Sequence, residues 1–239
     1  MTALIGNPVF EGISPEHRAE VIAASRLCTY QAGASIVLEG QPCEAVYALE
    51  RGRVRVFHAV AGGAEIMVKA FGAPAIFGED KALSGIAYLE SVAALTQCTV
   101  LEIPAARFVS LVQSEPSVSL ALCVDLAARL AISSYDEKSI AFDPATVRLA
   151  NYLLDYAGWI SEDPTSLKID LTQDDMAKAI GVTRRSIAKD IASWQEERIL
   201  RKSAGGYRVV DIEGLKRYAD PQRLTLHYSL RRGMFPLKT

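Results

Sequence analysis

Residues 171–200 read LTQDDMAKAIGVTRRSIAKDIASWQEERIL. Thr172 precedes Asp174 and Asp175, two acids well placed for the positive end of a helix. Met176, Ala177 and Ile180 give that helix an apolar side, and Gly181 supplies the left-handed residue that often follows a helix end. Thr183 then caps a second helix in which Ile187, Ile191 and Trp194 recur at helical spacing. Arg184, Arg185 and Lys189 project elsewhere, as does Ser186 beside them. The first turn of such a helix can enter a major groove. An arginine there can donate two parallel hydrogen bonds to guanine O6 and N7. Thr183 and the free backbone N–H groups can meet phosphate. The competing reading is an ordinary helix with a solvated basic face, and the flanking elements decide against it.

Before this stretch, ATVRLANYLLDYAGW follows Asp143-Pro144, a pair suited to cap and start a helix, and LKIDL reads as a short strand. After it, RKSAGGYRVVDI reads as two strands around Gly205-Gly206, a hairpin signal. Helix, strand, helix, turn, helix, hairpin is the outline of a winged helix-turn-helix, assigned to 143–219. Thr172, Gln173, Lys202, Tyr207 and Arg208 join it as candidate phosphate contacts.

Upstream, Ser117 to Ile140 runs without Gly or Pro and places Val118, Leu122, Leu126 and Leu130 at i+4, with Arg129 and Ser133 on a neighbouring stripe. Such a helix exceeds the needs of a small domain, and a coiled-coil dimer seam over 117–142 is the expectation, against an ordinary core helix as the alternative. From Tyr30 to Pro104 short runs rich in Val, Ile, Tyr and Phe (SIVLEG, AVYALERG, RVRVFHAVAGG, EIMVKAFG, SVAALTQCTVLEI) alternate with Gly33, Gly40, Gly52, Gly63 and Gly72. That is the texture of an all-β sandwich or barrel, here filling 1–116. A short helix capped by Ser14, with Pro15 at its first position, precedes it, and AARFVSLVQSEP follows as a helix stopped before Pro116.

The chain has 239 residues, half of them hydrophobic, enough for real cores. No run approaches eighteen uninterrupted apolar residues, so no membrane span is expected, and the N-terminus lacks a secretion signal. Cys28, Cys43, Cys98 and Cys123 are scattered without a C-x-x-C, which suits reduced thiols in a cytoplasmic protein. From Asp143 onward there are 16 Lys+Arg against 13 Asp+Glu; the part before holds 10 against 15. This asymmetry hints that the C-terminal part meets a polyanion. No nucleophile elbow, P-loop or metal spacing marks an enzyme.

With these elements in order, the chain resembles the cyclic-AMP receptor protein and fumarate–nitrate regulator superfamily of transcription factors over nearly its whole length. The markers are Gly33 with Ile36, Gly40, Val46-Tyr47-Ala48-Leu49, Gly52 with Val54 and Val56, and Phe77-Gly78-Glu79. The segment from Glu115-Pro116 through Ala150 matches the dimer helix and hinge. The resemblance implies an α+β chain: an antiparallel β-roll that binds an effector, a long helix that pairs two subunits, and a winged helix-turn-helix that reads a palindromic operator in double-stranded DNA. It also implies RNA polymerase as a partner. Thr183, Arg184, Ser186 and Lys189 match the family's recognition helix, whereas Arg185 stands where the family has glutamate. Arginine cannot accept from cytosine, so a different base preference is expected.

The effector pocket departs further. The family's cyclic-AMP binders carry an arginine about ten residues after Gly-Glu, and here Tyr88 or Leu89 falls there, with no arginine between Arg55 and Arg107. A buried phosphate without a cation is expensive. Lys81 is the available substitute, though a hydrated point charge. Gly78 and Glu79 begin the pocket, Arg129 could pair with Glu79, and Ser133 and Ser134 stand where the family's dimer helix contacts adenine. The usual cyclic-AMP mode is therefore not expected, and the effector has no identity from sequence. An iron–sulfur cluster near Cys28 or a haem on His58 lacks the ligand pattern. The tail 220–239 is basic through Arg223, Arg231, Arg232 and Lys238, with roles open between DNA, dimer and none. The rival function is a nucleotide-sensing module whose winged helix docks on protein rather than DNA.

Overall fold

The computed structural model describes residues 4, 6–59, 65–160 and 167–223, with the side chains of 157–160 and 167 outside that set. The chain forms two compact units, Met1–Ala127 and Ala128–Thr239.

After a 3-10 turn at Pro8–Phe10, the first unit forms α1 (Pro15–Ala24), whose N-cap Ser14 accepts from the backbone N–H of His17. Eight strands follow: β1 (Arg26–Tyr30), β2 (Ser35–Val37), β3 (Ala45–Arg51), β4 (Arg53–Ala59), β5 (Glu65–Gly72), β6 (Ala75–Phe77), then, after α2 (Glu79–Ser84), β7 (Ser91–Ala94) and β8 (Cys98–Pro104). They make two four-stranded sheets, β1-β8-β3-β6 and β2-β7-β4-β5, with every pairing antiparallel. The run SVAALTQCTVLEI is thus two strands in different sheets, and β1, whose RLCTY mixes polar with apolar residues, and the three-residue β6 were not anticipated. Gly33, Gly40 and Gly52 take positive φ as expected, but Gly72 does not: it ends β5 in the ladder opposite Arg53. Gly63 lies outside the described residues.

Alternation along the strands divides the apolar side chains between two cores. Leu49, Val54, Val56, Phe77, Tyr88, Val92, Cys98 and Val100 pack together in one. Val46, Ala48, Ile76, Leu101 and Ile103 pack with Phe10, Val21 and Phe108 in the other, where α1 and α3 (Ala105–Ser114) cover the sheet. The rings of Phe10 and Phe108 meet edge-on at 6.5 Å.

A long helix, α4 (Pro116–Phe142), passes from one unit to the next. Val118 and Leu122 are buried in the second of those cores, with Leu126 packed against it. This corrects the expected seam at Val118, Leu122 and Leu126, which pack into the unit's own apolar core. Leu130, the fourth residue of the expected stripe, is 68% exposed, and Leu120 is 54% exposed. By length and composition α4 is also apolar enough to cross a membrane, with a mean hydropathy of 1.5 over its best window. Single charges and serines interrupt the apolar residues, which is why no unbroken run was visible in the sequence.

In the second unit α5 (Ala145–Ile160) leads to β9 (Leu167–Ile169), α6 (Gln173–Ile180), α7 (Arg184–Glu196), β10 (Leu200–Ser203), β11 (Gly206–Val209) and α8 (Ile212–Lys216). The sheet order is β10-β11-β9, antiparallel throughout. Leu149, Leu153, Ile169, Met176, Ile187, Ile191 and Trp194 form the buried centre. The hairpin turn falls at Ala204-Gly205, one residue earlier than expected. Gly206 belongs to β11, where a Cβ would stand 2.0 Å from the carbonyl oxygen of Ile169. The second glycine therefore serves close strand approach, not the turn.

Candidate nucleic-acid interface and effector pocket

The two helices of the turn present opposite N-termini. At α6, Thr172 and Asp175 form a reciprocal cap: the Asp175 N–H donates to Thr172 Oγ1 at 3.1 Å, and the Thr172 N–H and hydroxyl donate to Asp175 Oδ2 at 2.9 and 2.7 Å. With Asp174 beside it, that end already holds carboxylate charge. Thr172 is thus corrected as a phosphate contact, because its hydroxyl proton and the helix end are both taken by the chain's own acid. Gly181 ends α6 at φ 65°, as the sequence required. At α7, Thr183 caps by accepting from the Ser186 N–H at 3.3 Å, and the first turn, Arg184-Arg185-Ser186-Ile187, carries no carboxylate. Arg184, Arg185 and Lys189 are exposed while Ile187, Ile191 and Trp194 are buried, so the apolar stripe fixes which way the cations point. Arg184 Nε stands 3.8 Å from Asp174 in a loose, exposed pair. Thr146 of α5 donates to Asp190 at 2.9 Å and ties α7 to α5.

The wing departs from expectation. Tyr207 is buried, and its hydroxyl accepts from the Gln173 side-chain amide at 3.0 Å. Both side chains thus bind the wing to α6, and Tyr207 is corrected as a phosphate contact. Lys202 lies opposite Tyr207 in the register, and Arg208 faces the other side of the sheet. Arg208 sits between Arg201 and Lys168, its direct neighbours on β10 and β9, and all three are exposed. Like charges directly opposite each other are unfavourable in a sheet. Lys168 is joined by Asp170 at 2.7 Å, which offsets part of that repulsion. Arg201 and Lys168 were missed because strand register, not sequence spacing, brings them beside Arg208.

In the roll, Gly78 takes φ 85° as the N-cap of α2, and a Cβ there would press on the Tyr88 ring at 3.2 Å. Tyr88 is buried, donates its hydroxyl to the Ala45 carbonyl, and lies 6.4 Å from the Tyr47 ring. Burial, with Cys43 and Tyr47 as neighbours, pushes its phenol far above the ordinary range. Lys81 is 9% exposed, with its ammonium 2.8 Å from Asp80 and 3.6 Å from Glu90. Burial lowers its pKa, but the carboxylates outweigh that and hold it above the usual lysine value. Lys81 is therefore corrected as a phosphate substitute: two acids already hold it. Glu79 is fully buried and Leu89 is exposed. Arg129, Ser133 and Ser134 belong to the other unit, with both serines exposed. His58 pairs with Glu39 at 3.2 Å on the rim of β4, and the four cysteines are free thiols. No group of three or more potential metal ligands occurs among the described residues.

Arg223 is not a surface cation of the tail. It is buried between Asp136 and Asp155, which corrects its reading as a DNA or dimer contact. Arg231, Arg232 and Lys238 lie outside the described residues.

Two family profiles match: "Cyclic nucleotide-binding domain" over residues 27–115 and "Crp-like helix-turn-helix domain" over 147–218. Among curated relatives, the CRP-like cAMP-activated global transcriptional regulator of Mycobacterium tuberculosis is 23% identical over 88% of this chain and 96% of its own length. The cyclic AMP receptor protein of Thermus thermophilus is 24% identical over 90% of this chain and 97% of its own. Among solved structures, FixK2 of Bradyrhizobium japonicum superposes with a TM-score of 0.66 at 17% identity, covering 82% of this chain and 98% of that one. The c-di-GMP responsive global regulator CLP of Xanthomonas campestris gives 0.65 at 20% identity, covering 82% and 99%. At these identities the structural likeness speaks for the fold alone.

Proposed function

Since the chain belongs to the Crp/Fnr superfamily and is a Crp-like transcription regulator with a helix-turn-helix DNA-binding domain, we propose that it acts in the cytoplasm as a homodimer reading a palindromic operator through the first turn of α7. The observation that carries this is the contrast at the two helix ends: α6 is closed by its own carboxylates, and α7 offers two exposed arginines and an acid-free N-terminus. Arg185 and Arg184 read bases, Lys189 and Ser186 support them, and Thr183 and Lys202 meet phosphate. The exposed Arg201–Arg208–Lys168 row adds phosphate contacts. RNA polymerase is the natural partner of such a regulator, and the sequence divisions at 116/117, 142/143 and 219/220 remain our working boundaries.

The dimer seam is redrawn along α4. Leu120, Cys123, Ala127, Leu130, Ser134, Glu137 and Ala141 recur in alternating steps of three and four, and all are exposed. That is a heptad seam, strongest from Leu120 to Leu130, and a second copy of this chain is its occupant. Leu130→Glu should give monomers by native mass spectrometry, whereas wild type gives dimers.

The effector reading follows from Tyr88 and Lys81. With the tyrosine ring packed on Gly78 and the lysine held by two acids, the roll is not built for a cyclic phosphate held by a free cation. Calorimetry with cyclic AMP should show no saturable heat, and whatever small molecule regulates the chain has other chemistry. The experiment for the function as a whole is selection from random duplex DNA. Recovery of a palindrome with half-sites about 34 Å apart supports it, and recovery of unrelated sequences defeats it.

A further inference from the structure

Beyond α8 the chain turns back over α4 and α5. Arg223 Nε donates to Asp136 of α4 at 2.9 Å, and its Nη1 donates to Asp155 of α5 at 2.5 Å. Arg223 and Asp155 are both buried, and Asp136 is half-exposed. Asp220, three residues earlier, repeats the pattern. The Asp220 N–H donates to Asn151 Oδ1 of α5 at 3.1 Å, and Lys138 of α4 lies 3.6 Å from the Asp220 carboxylate. Asp220 in turn accepts from the backbone N–H of Gln222 at 2.7 Å, which shapes the short segment that delivers the arginine. One stretch of four residues therefore grips both helices, which are otherwise joined in sequence through Asp143-Pro144.

A guanidinium taken out of water is tolerated only when its fork is met by acceptors in fixed places. Here the acceptors stand on two different helices, so the favourable geometry exists at one mutual angle. We infer that Arg223 is a positioning residue that sets the angle between α4 and α5, and through α5 the direction of the recognition helix. The transmission is on hand: Thr146 of α5 holds Asp190 of α7. The inference rests on the proposed dimer. Asp136 lies on the order of 140° around α4 from the exposed heptad seam, so clasp and seam can be occupied together. In a dimer joined at that seam, the α4–α5 angle fixes how far apart and how rotated the two recognition helices are.

The test is operator spacing. One added or removed base pair rotates one half-site by about 35° relative to the other. A dimer with a pinned angle should lose at least about tenfold in affinity for such operators, because both halves no longer engage together. Asp136→Ala cuts only the half-exposed arm and leaves the Arg223–Asp155 pair in place. Arg223→Gln cuts both. Each should keep wild-type affinity for a single half-site and show a spacing penalty of less than about threefold. Wild-type spacing penalties in both variants overturn the inference. A second readout needs no operator: in a Cys123→Ser background, fluorescent labels at positions 131 and 196 should report one narrow distance distribution in the wild type and a broader one in Asp136→Ala. An unchanged distribution also overturns the inference, even where failure to select any palindrome has already defeated the DNA reading.

Discussion

The roll and the first turn of α7 dispose of their polar groups in opposite ways. In the roll, Lys81 is held by Asp80 and Glu90, Tyr88 by Ala45, and Glu115 accepts from the Ser14 N–H and the Ser117 hydroxyl and meets the His17 ring. At α7 the cations are exposed, and among the described residues only Arg184 has an ion pair, a loose one at 3.8 Å to Asp174. Exposed, weakly paired charge adds little to stability. Under the proposed function, its presence on a helix whose other face is locked in the core is accounted for by DNA. The same unit contains the counterexample that makes the comparison useful: Arg223 is an arginine of the inward kind. Residue type alone does not separate the two uses; burial and pairing do.

The comparison breaks most visibly at Arg223. Arg223→Met should destabilise the second unit by roughly 3 kcal/mol, the low end for removing one partner of a buried pair, because Asp136 keeps access to water. Thermal unfolding checks it, and a loss within experimental error would place Arg223 with the surface arginines. Arg185→Ala should do the reverse. We expect about 2 kcal/mol of lost discrimination at one or two base pairs, with the unfolding midpoint unchanged. Equal weakening on all sequences, with a salt slope shallower by about 0.9, would make Arg185 a phosphate contact only. Thr183→Ala comes next, at about 1 kcal/mol of stability, because it removes the α7 cap that accepts from Ser186. DNA affinity should fall with it if the same hydroxyl also meets phosphate.

Much of this was legible in the residues. The cap at Thr183, the stop at Gly181 and the spacing of Ile187, Ile191 and Trp194 are local signals, and the helices formed where those signals stand. What could not be read was set by tertiary contacts. Val118, Leu122 and Leu126 have a perfectly good seam pattern, yet the pattern cannot say whether the apolar stripe meets a partner or the chain's own sheet. Tyr207 reads as a wing residue, and only strand register shows it facing the helices. Arg223 sits 68 residues from one partner and 87 from the other, beyond any periodicity. β6 was invisible because its three residues carry no period and sit between Pro74 and Gly78 without a longer apolar run around them.

The smallest effect sharpens the inward half of the comparison. His17 Nδ1 lies 2.8 Å from Glu115, which also accepts from the Ser14 N–H that opens α1. The hydrogen bond to Glu115 raises the imidazole pKa above its ordinary 6.5, and the bonds from His17 and Ser14 lower the Glu115 carboxyl from 4.5 to about 2. For the raised histidine, the contribution to folding is complete below 6.5 and fades as pH climbs through the folded value. For the depressed carboxylate, it is complete above 4.5 and fades as pH falls toward about 2. The pair should therefore support the first unit most strongly between these limits. His17→Gln should lower the first unit's unfolding midpoint within that window and remove its decline above pH 6.5, leaving the second unit's transition untouched. Both groups keep contact with solvent, so high salt should shrink the difference as well. A wild-type midpoint that does not decline as pH rises above 6.5 would mean that Glu115 works as a helix cap alone and that the imidazole is incidental.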